Sequence, residues 1–329
     1  MDASATPDIV ANAPTWVNGK HRTPAEVCYS VPDRKNRPMA TATKWLAKTL
    51  QGLRSFAYAG QGARPKVGVA LGGGFARGIA HIGVLRLLEQ YEIPVDFIAG
   101  TSVGALVAAA YASGSPLDEM QRQGAETEFN DFGRWTLSRM GMATNERLED
   151  FLRKFTPARH FSELKIPLSI VATDLVTGKG VYFTDGEIGP ALRASCAYPG
   201  LFMPVEYRGH VLADGFLTEA APAEAVRKLG AELVISVYLD PGLLDEKPRN
   251  TIEVISRSFS IIQTAVTQPW RAATDILIEP DVHDVLWYEF KKTPQLVAAG
   301  EAAAYAALPQ IKSALAGRPA TKAAVSVAP

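Results

Sequence analysis

Two short apolar segments early in the main body of the chain each lead through a glycine-containing turn into a helical pattern. Val67–Leu71 is followed by three consecutive glycines and then by a helix predicted over Ile79–Gln90. A second strand is predicted at Val95–Ala99, and it leads into a helix of small residues over Val103–Ser113. Buried strands that alternate with helices are typical of a parallel sheet covered on both faces. The alternation therefore predicts an α/β fold.

The same alternation continues toward the C-terminus. Further strands are predicted at Leu168–Thr173, Gly180–Phe183, Val211–Ala213, Leu233–Leu239 and Asp275–Ile278. Helices fall between most of them, at Asn145–Phe155, Ile188–Ser195, Thr218–Leu229, Ile252–Thr267 and Gln295–Ala307. This pattern predicts a three-layer α/β/α architecture with a mostly parallel central sheet and no internal repeat.

Composition divides the chain into three predicted parts. Residues 1–62 are predicted to be an N-terminal extension, because residues 1–66 hold ten Lys and Arg against four Asp and Glu in a chain of zero net charge. Apolar residues at helical spacing over 41–58 predict a basic amphipathic helix, which either packs on the protein's own core or makes peripheral contact with an anionic membrane. Residues 63–316 form the predicted main domain, and residues 317–329 a flexible tail.

The segment Gly100-Thr101-Ser102-Val103-Gly104 has the spacing of a nucleophile elbow. Such an elbow needs a strand, a sharp turn and a helix, with small flanking residues that let the strand and the helix approach closely. The predicted elements supply that context, with Gly100 and Gly104 as the small residues. Ser102 is therefore the candidate nucleophile, although a serine at this position also caps a helix well. The two roles are compatible.

The turn after the first strand reads Gly72-Gly73-Gly74-Phe75-Ala76-Arg77-Gly78. Consecutive glycines leave backbone N–H groups free to face a developing oxyanion, so the turn is a candidate oxyanion loop. A glycine turn between strand and helix can also hold the pyrophosphate of a dinucleotide. The G-x-G-x-x-G spacing would need glycine at position 75 or 77, where the chain has Phe75 and Arg77. The spacing therefore favours the oxyanion loop.

Asp214 follows a predicted strand and precedes Gly215, at the kind of strand end where α/β proteins commonly place site residues. An aspartate in an Asp-Gly turn is also common without any catalytic role. The positions of the histidines favour the catalytic interpretation, because none is well placed to serve as a base. They are His21, His81, His160, His210 and His283. A Ser102–Asp214 dyad is therefore favoured over a Ser-His-Asp triad.

Four segments, in this order, resemble the patatin-like phospholipases, and in particular bacterial proteins akin to the catalytic domain of neuropathy target esterase. They are Leu71 to Leu88, Phe97 to Ala110, Ile166 to Thr184 and Ala194 to Leu239, within a resemblance that covers about residues 66–310. The resemblance implies a patatin-like fold. It also implies Ser102 as nucleophile, Asp214 as general base and the N–H groups around Gly73 and Gly74 as oxyanion donors.

The rest of the glycine loop belongs to the same implied site. Its remaining substrate-binding candidates are Gly72, Phe75, Arg77 and Gly78. Arg77 would brace the loop or meet a lipid phosphate, and its alternative is an ordinary salt bridge at the start of the helix. The chain departs from the family at Phe75, where many members have glycine, and at Phe216, where glycine or alanine is usual. Phe75 affects which backbone N–H groups can serve as oxyanion donors, and Phe216 affects the width of the substrate pocket.

The resemblance implies a serine lipid acyl hydrolase of the phospholipase or lysophospholipase type, which needs no metal or cofactor. Its partner would be a lipid or phospholipid substrate, and the zero net charge gives no indication of nucleic acid binding. Two cysteines, no secretion signal and no long apolar run predict a cytoplasmic protein with reduced thiols. The alternatives are a catalytically silent lipid-binding or regulatory protein on the same fold, and an esterase for soluble esters.

Overall fold

The structure is a computed structural model and describes residues 64–136, 138–240, 247–265 and 269–317. Contacts between Cα atoms divide the chain into two units, Met1–Gln61 and Gly62–Pro329. The predicted N-terminal extension with its amphipathic helix lies outside the described residues. So does the predicted tail from residue 318 onward. Within the described ranges, no helix combines the length and the apolar character that a membrane crossing requires.

The main unit is built on an eight-stranded sheet, with neighbours hydrogen-bonded in the order β10-β9-β1-β2-β5-β8-β7 and β6 also paired to β5. The five strands from β10 to β5 pair in parallel, and every pair that involves β6, β7 or β8 is antiparallel. A separate hairpin joins β3 to β4. The strands are β1 (Val67–Leu71), β2 (Phe97–Thr101), β3 (Arg134–Trp135), β4 (Ala143–Thr144), β5 (Leu168–Asp174), β6 (Gly180–Phe183), β7 (Val205–Tyr207), β8 (His210–Asp214), β9 (Leu233–Val237) and β10 (Ile276–Ile278).

Helices cover both faces of this sheet. Within the described residues they are α1 (Ala80–Gln90), α2 (Val103–Ser113), α3 (Leu117–Glu126), α4 (Phe129–Phe132), α5 (Arg147–Phe155), α6 (Ile188–Ser195), α7 (Ala223–Leu229), α8 (Thr251–Ala265), α9 (Pro269–Ala272) and α10 (Thr293–Leu315). Side chains of α1, α2, α6 and α10 pack with one set of strand residues, and those of α7 and α9 pack with the other. This is the predicted three-layer α/β/α fold with a mostly parallel sheet.

Strand residues alternate between the two faces. Val69, Leu71 and Ile98 belong to the larger core under α1, α2, α6 and α10. Ala70 and Ala99 belong to the smaller core under α7 and α9. Because both faces are covered, the central strands are buried along their whole length and show no polar alternation. This is why short apolar runs located them in the sequence.

Two predicted helices differ from those observed. The helix predicted over Thr218–Leu229 begins only at Ala223, because Pro222 forms its N-cap and a 3-10 turn occupies Gly215–Leu217. The helix predicted over 295–307 is longer, since α10 spans Thr293–Leu315 and continues past Pro309. The sequence pattern did not predict α3 or the β3–β4 hairpin, and both lie between α2 and α5.

Candidate active site

Two strands meet end to end beside β5, and this junction brings the two candidate catalytic residues together. β6 pairs with one edge of β5 from Ile170 to Thr173. The other edge therefore carries both β2, which ends opposite Val171, and β8, which ends opposite Ala172. Because β2 and β8 run in opposite directions, their carboxyl ends face each other. Ser102 follows the end of β2, and Asp214 is the last residue of β8.

Ser102 sits in a strained turn between β2 and α2. Its backbone has φ 55° and ψ −126°, a left-handed conformation that non-glycine residues rarely adopt and that costs on the order of 1–3 kcal/mol. The helix passes very close to β1 at this point, since a Cβ on Gly104 would lie 2.2 Å from the carbonyl oxygen of Leu71. Only glycine fits there. This geometry is that of a nucleophile elbow.

The hydroxyl of Ser102 donates a hydrogen bond of 2.7 Å to Asp214 Oδ2. The other carboxylate oxygen, Oδ1, accepts the backbone N–H of Phe216 at 2.9 Å. Asp214 is only 1% exposed, and burial raises its pKa to about 7, while the two hydrogen bonds oppose that rise. A carboxylate with such a pKa is a far stronger base than an ordinary surface aspartate.

The glycine loop passes directly beside Ser102. A Cβ built on Gly73 would lie 3.4 Å from Ser102 Cβ. The N–H groups of Gly72 and Gly73 are already used, because they donate to Val237 O and Ala220 O. Across the described part of the chain, no protein acceptor receives the N–H of Gly74 or Phe75. These two groups are therefore the loop donors available to an oxyanion, which is one residue further along than the pair predicted from the sequence.

Comparison with known proteins identifies the family of this chain. The family model described as patatin-like phospholipase matches residues 69–227. An uncharacterized NTE family protein of Mycobacterium tuberculosis is 32% identical over 265 residues, which cover 78% of this chain and 71% of that protein. The chain belongs to the patatin-like phospholipase family. Lysophospholipase NTE1 of Mycosarcoma maydis is 28% identical over 229 residues. The match covers 68% of this patatin-like chain and 12% of that protein.

Among solved structures, VipD from Legionella pneumophila resembles this patatin-like protein with a TM-score of 0.44 and 12% identity. That match covers 78% of this chain and 67% of VipD.

Two buried polar side chains brace the glycine loop of this patatin-like protein. Arg77 donates its Nε–H to Val285 O at 2.7 Å, and burial lowers its pKa. His81 is fully buried, and its Nε2 lies 2.8 Å from Gly72 O. Burial lowers the pKa of His81 to about 4, so the ring is neutral and Nε2 carries the proton that the carbonyl accepts. Arg77 thus has the bracing contact predicted as one of its alternatives.

The two departures from the family pattern have distinct structural consequences. Phe75 has φ 51°, the left-handed region where glycine is the easiest residue to place. Its ring compensates by packing edge-on against Tyr198 and Trp287, with centroids 5.1 and 5.2 Å away. Phe216 lies against Gly73 and lines the cavity at Ser102. Phe75 therefore anchors the glycine loop, and Phe216 occupies space beside it.

No histidine in the described part of the chain contacts the Ser102–Asp214 pair. His160 pairs with Glu163, His210 with Asp174, and His283 is exposed. His21 lies outside the described residues. Among those described, no group of three His, Cys, Asp or Glu is placed to hold a metal ion.

Sequence reasoning missed two residues at this site. Ser195 accepts the backbone N–H of Ser102 through its Oγ at 2.8 Å and donates to Val171 O at 2.6 Å. Its only signal in the sequence was its position in the stretch before Asp214 that resembles the family. Val103 is the second, because its N–H opens α2 and has no acceptor among the described residues. The residue after an elbow serine commonly supplies an oxyanion donor, so the elbow motif itself could have indicated it.

Ser102 lies where two cavities meet. One extends from Ser102 and Asp214 to the inner side of α8, and polar and charged side chains line part of it: Arg249, Glu253, Ser256, Arg257 and Ser260. The other is almost entirely apolar: Ile79, Ile82, Leu106, Met120, Phe132, Phe151, Phe155 and Phe202. Cys196 also lines this apolar cavity, and burial raises the pKa of its thiol, which keeps it protonated.

Proposed function

We propose that this protein hydrolyses ester bonds of lipids through an acyl-serine intermediate, with Ser102 as nucleophile and Asp214 as general base. The observation that carries the proposal is the 2.7 Å hydrogen bond from Ser102 Oγ to Asp214 Oδ2. Membership of the patatin-like phospholipase family supports a lipid ester as substrate. A relative named as a lysophospholipase favours a phospholipid or lysophospholipid.

In the first half of the reaction, the Asp214 carboxylate accepts the proton of Ser102 as Oγ attacks the ester carbonyl carbon. The N–H groups of Gly74, Phe75 and Val103 are the candidate donors to the oxyanion that forms. The intermediate then expels the alcohol, which takes the proton from Asp214. The acyl group stays on Ser102 as an ester.

In the second half, Asp214 accepts a proton from a water molecule that attacks the acyl carbon. Collapse of this intermediate breaks the bond to Oγ and returns the proton to Ser102. The fatty acid leaves and the site is restored. The two cavities suit this sequence, since an acyl chain would be placed against the phenylalanines of the apolar cavity and the polar alcohol in the other.

The test is hydrolysis of a panel of phospholipids, lysophospholipids and soluble short-chain esters by purified protein and its Ser102→Ala variant. The expected result is release of fatty acid from a lipid, together with a covalent fluorophosphonate adduct that Ser102→Ala lacks. Labelling without lipid hydrolysis would favour an esterase for soluble esters. A folded protein that neither labels nor hydrolyses any ester would contradict the proposal and favour a silent lipid-binding protein.

A further inference from the structure

A basic and apolar surface continues from the mouth of the catalytic cavity along the β3–β4 hairpin. Trp135, Met140 and Met142 of this hairpin are exposed by 58%, 63% and 37%, and Tyr288 beside them by 50%. Trp135 and Tyr288 line the same groove, and Tyr288 also lines the catalytic cavity. These four residues, with Arg134 and Arg139, are called the rim below.

The hairpin segment carries positive charge and no acidic residue, and the groove that Trp135 shares with Tyr288 is lined by two glutamates and two lysines: Glu128, Glu289, Lys291 and Lys292. Residues 133–144 include Arg134 and Arg139 but no Asp or Glu. Both arginines are exposed, and within the described residues neither forms a salt bridge. Aromatic and methionine side chains interspersed with arginines have the composition that suits the boundary between acyl chains and anionic head groups.

The inner face of the hairpin is held by the protein core, so only its outer side chains are available to a partner. Met142 N–H and Ala143 N–H both donate to Leu201 O, and Ala143 is fully buried beside Phe202. A Cβ on Gly141 would lie 2.7 Å from the backbone nitrogen of Met203. The backbone of the hairpin from Gly141 to Ala143 is therefore held against the core.

We infer that the rim is an interfacial surface that binds anionic lipid bilayers and brings the mouth of the catalytic cavity to the substrate. The inference rests on the proposed function, because a lipid ester hydrolase must reach an ester held in a lipid surface. None of the rim residues belongs to residues 41–58, the segment for which the sequence predicts peripheral membrane contact as one alternative. The two arginines supply attraction to anionic head groups, and Trp135, Met140 and Met142 supply apolar area to the acyl boundary.

The experiment measures flotation of the full chain with vesicles of phosphatidylcholine alone or mixed with phosphatidylglycerol. Replacing both arginines, in Arg134→Gln/Arg139→Gln, is expected to weaken binding to the anionic vesicles about 30-fold, at roughly fivefold for each charge. It should leave binding to neutral vesicles unchanged. Trp135→Ser should weaken binding to both kinds of vesicle about tenfold, because it removes apolar area.

A matched control is Tyr305→Ser, since Tyr305 is 60% exposed and lies on α10 against Tyr91. This control should bind both vesicles like the natural protein. Equal binding by the arginine variant and the natural protein to anionic vesicles would overturn the inference, and so would equal effects of Trp135→Ser and Tyr305→Ser. If Trp135→Ser instead dissociates a dimer in sedimentation velocity and leaves vesicle binding intact, the rim is a contact between copies and the inference is wrong.

Turnover of a soluble short-chain ester separates this inference from the proposed function. The rim variants should retain this turnover, because the replaced residues do not contact Ser102 or Asp214. A natural protein without turnover of any ester would contradict the proposed function, while the vesicle measurements would still decide on the rim. The arginine variant keeps the test decisive if Trp135→Ser fails to fold, since both arginines are exposed.

Discussion

The backbone N–H of Ser102 donates to the hydroxyl of Ser195 at 2.8 Å, and the same hydroxyl donates to Val171 O at 2.6 Å. Ser195 is fully buried at the end of α6. It therefore bridges the gap on the edge of β5 where β2 and β8 both end. The strained backbone at Ser102 is held by this bridge as well as by its own helix, which makes Ser195 a positioning residue.

Removing this bridge should lower turnover without unfolding the protein. In Ser195→Ala, the buried Ser102 N–H and Val171 carbonyl both lose their partner, at a cost of about 1–3 kcal/mol each. We expect kcat to fall by about tenfold or more with KM little changed, because the elbow shifts but the cavities stay intact. Ser113→Ala, a serine at the far end of α2 with a bond to Ala110 O, is the control. Equal kinetics for the two variants would contradict the positioning role.

The two members of the dyad should be almost equally necessary. Ser102→Ala removes the proposed nucleophile, and Asp214→Asn removes the proposed base, so each variant should lose about 10⁴-fold or more in kcat. The double variant should be hardly worse than either, because residues that act as one unit are not additive. His210→Gln serves as a control, since the His210 ring hydrogen-bonds to Asp174 and not to Ser102 or Asp214. Retained turnover in folded Asp214→Asn would show that another group acts as the base.

The raised pKa of Asp214 sets the expected pH dependence of activity. Only the carboxylate form can accept the Ser102 proton, and burial raises the pKa of this group to about 7. The value of kcat/KM should therefore rise with pH through an apparent pKa near 7 and then level off. A profile already flat from pH 5 upward would mean that Asp214 titrates like an ordinary carboxyl in the free enzyme.

The raised pKa of Asp214 also predicts that the stability of the protein depends on pH. The pKa of Asp214 is about 7 in the folded chain against 3.8 for an unperturbed carboxyl, so the folded state holds the proton more tightly. The free energy of unfolding should fall as the pH rises from about 4 to 7. Above pH 7 the contribution of Asp214 should stay constant. The Asp214→Asn variant should not show this fall in unfolding free energy. At pH 8 it should be more stable than the natural protein by about 2–4 kcal/mol.

Buried Glu219 also has a pKa raised to about 7 and adds a slope of the same sign. The measurement is therefore the difference between urea unfolding curves of the two proteins at pH 5 and pH 8. Glu219 contributes equally to both proteins and cancels. A difference that does not change between the two pH values would contradict the assigned shift.

The sequence predicted helix limits most accurately where a single residue determines the backbone geometry. Val103–Ser113 and Ile188–Ser195 were located to the residue, because glycine at 114 and buried small side chains mark their limits. The pairing of Ser102 with Asp214 was inferred from the lack of a well-placed histidine and from the family resemblance, because the two residues are 112 positions apart and meet only through strand pairing. The usable loop donors could not be read from consecutive glycines. Which N–H is free depends on Val237 and Ala220, carbonyls from distant segments.

Two glycine substitutions test whether the close packing of α2 against β1 holds Ser102 in place. A Cβ on Gly104 of α2 would lie 2.2 Å from Leu71 O and 2.5 Å from Gly72 O, which are backbone atoms of β1 and the glycine loop. A Cβ on Gly124 of α3 would meet only side-chain atoms at ordinary contact distances, two Ile79 carbons at 3.5 Å and Thr293 Oγ1 at 3.8 Å. Both glycines are helical, so alanine should gain about 1 kcal/mol of helix propensity at either site.

At position 104 the clash should far exceed that gain, because strand, loop and helix would all have to separate. We expect Gly104→Ala to lose at least about 3 kcal/mol of unfolding free energy, and most of its turnover with it. Gly124→Ala should be as stable as the natural protein or more so, and should stay active. Urea unfolding and soluble-ester turnover of the two variants check this. If Gly104→Ala is as stable and active as Gly124→Ala, the close approach of α2 to β1 does not hold the nucleophile in place.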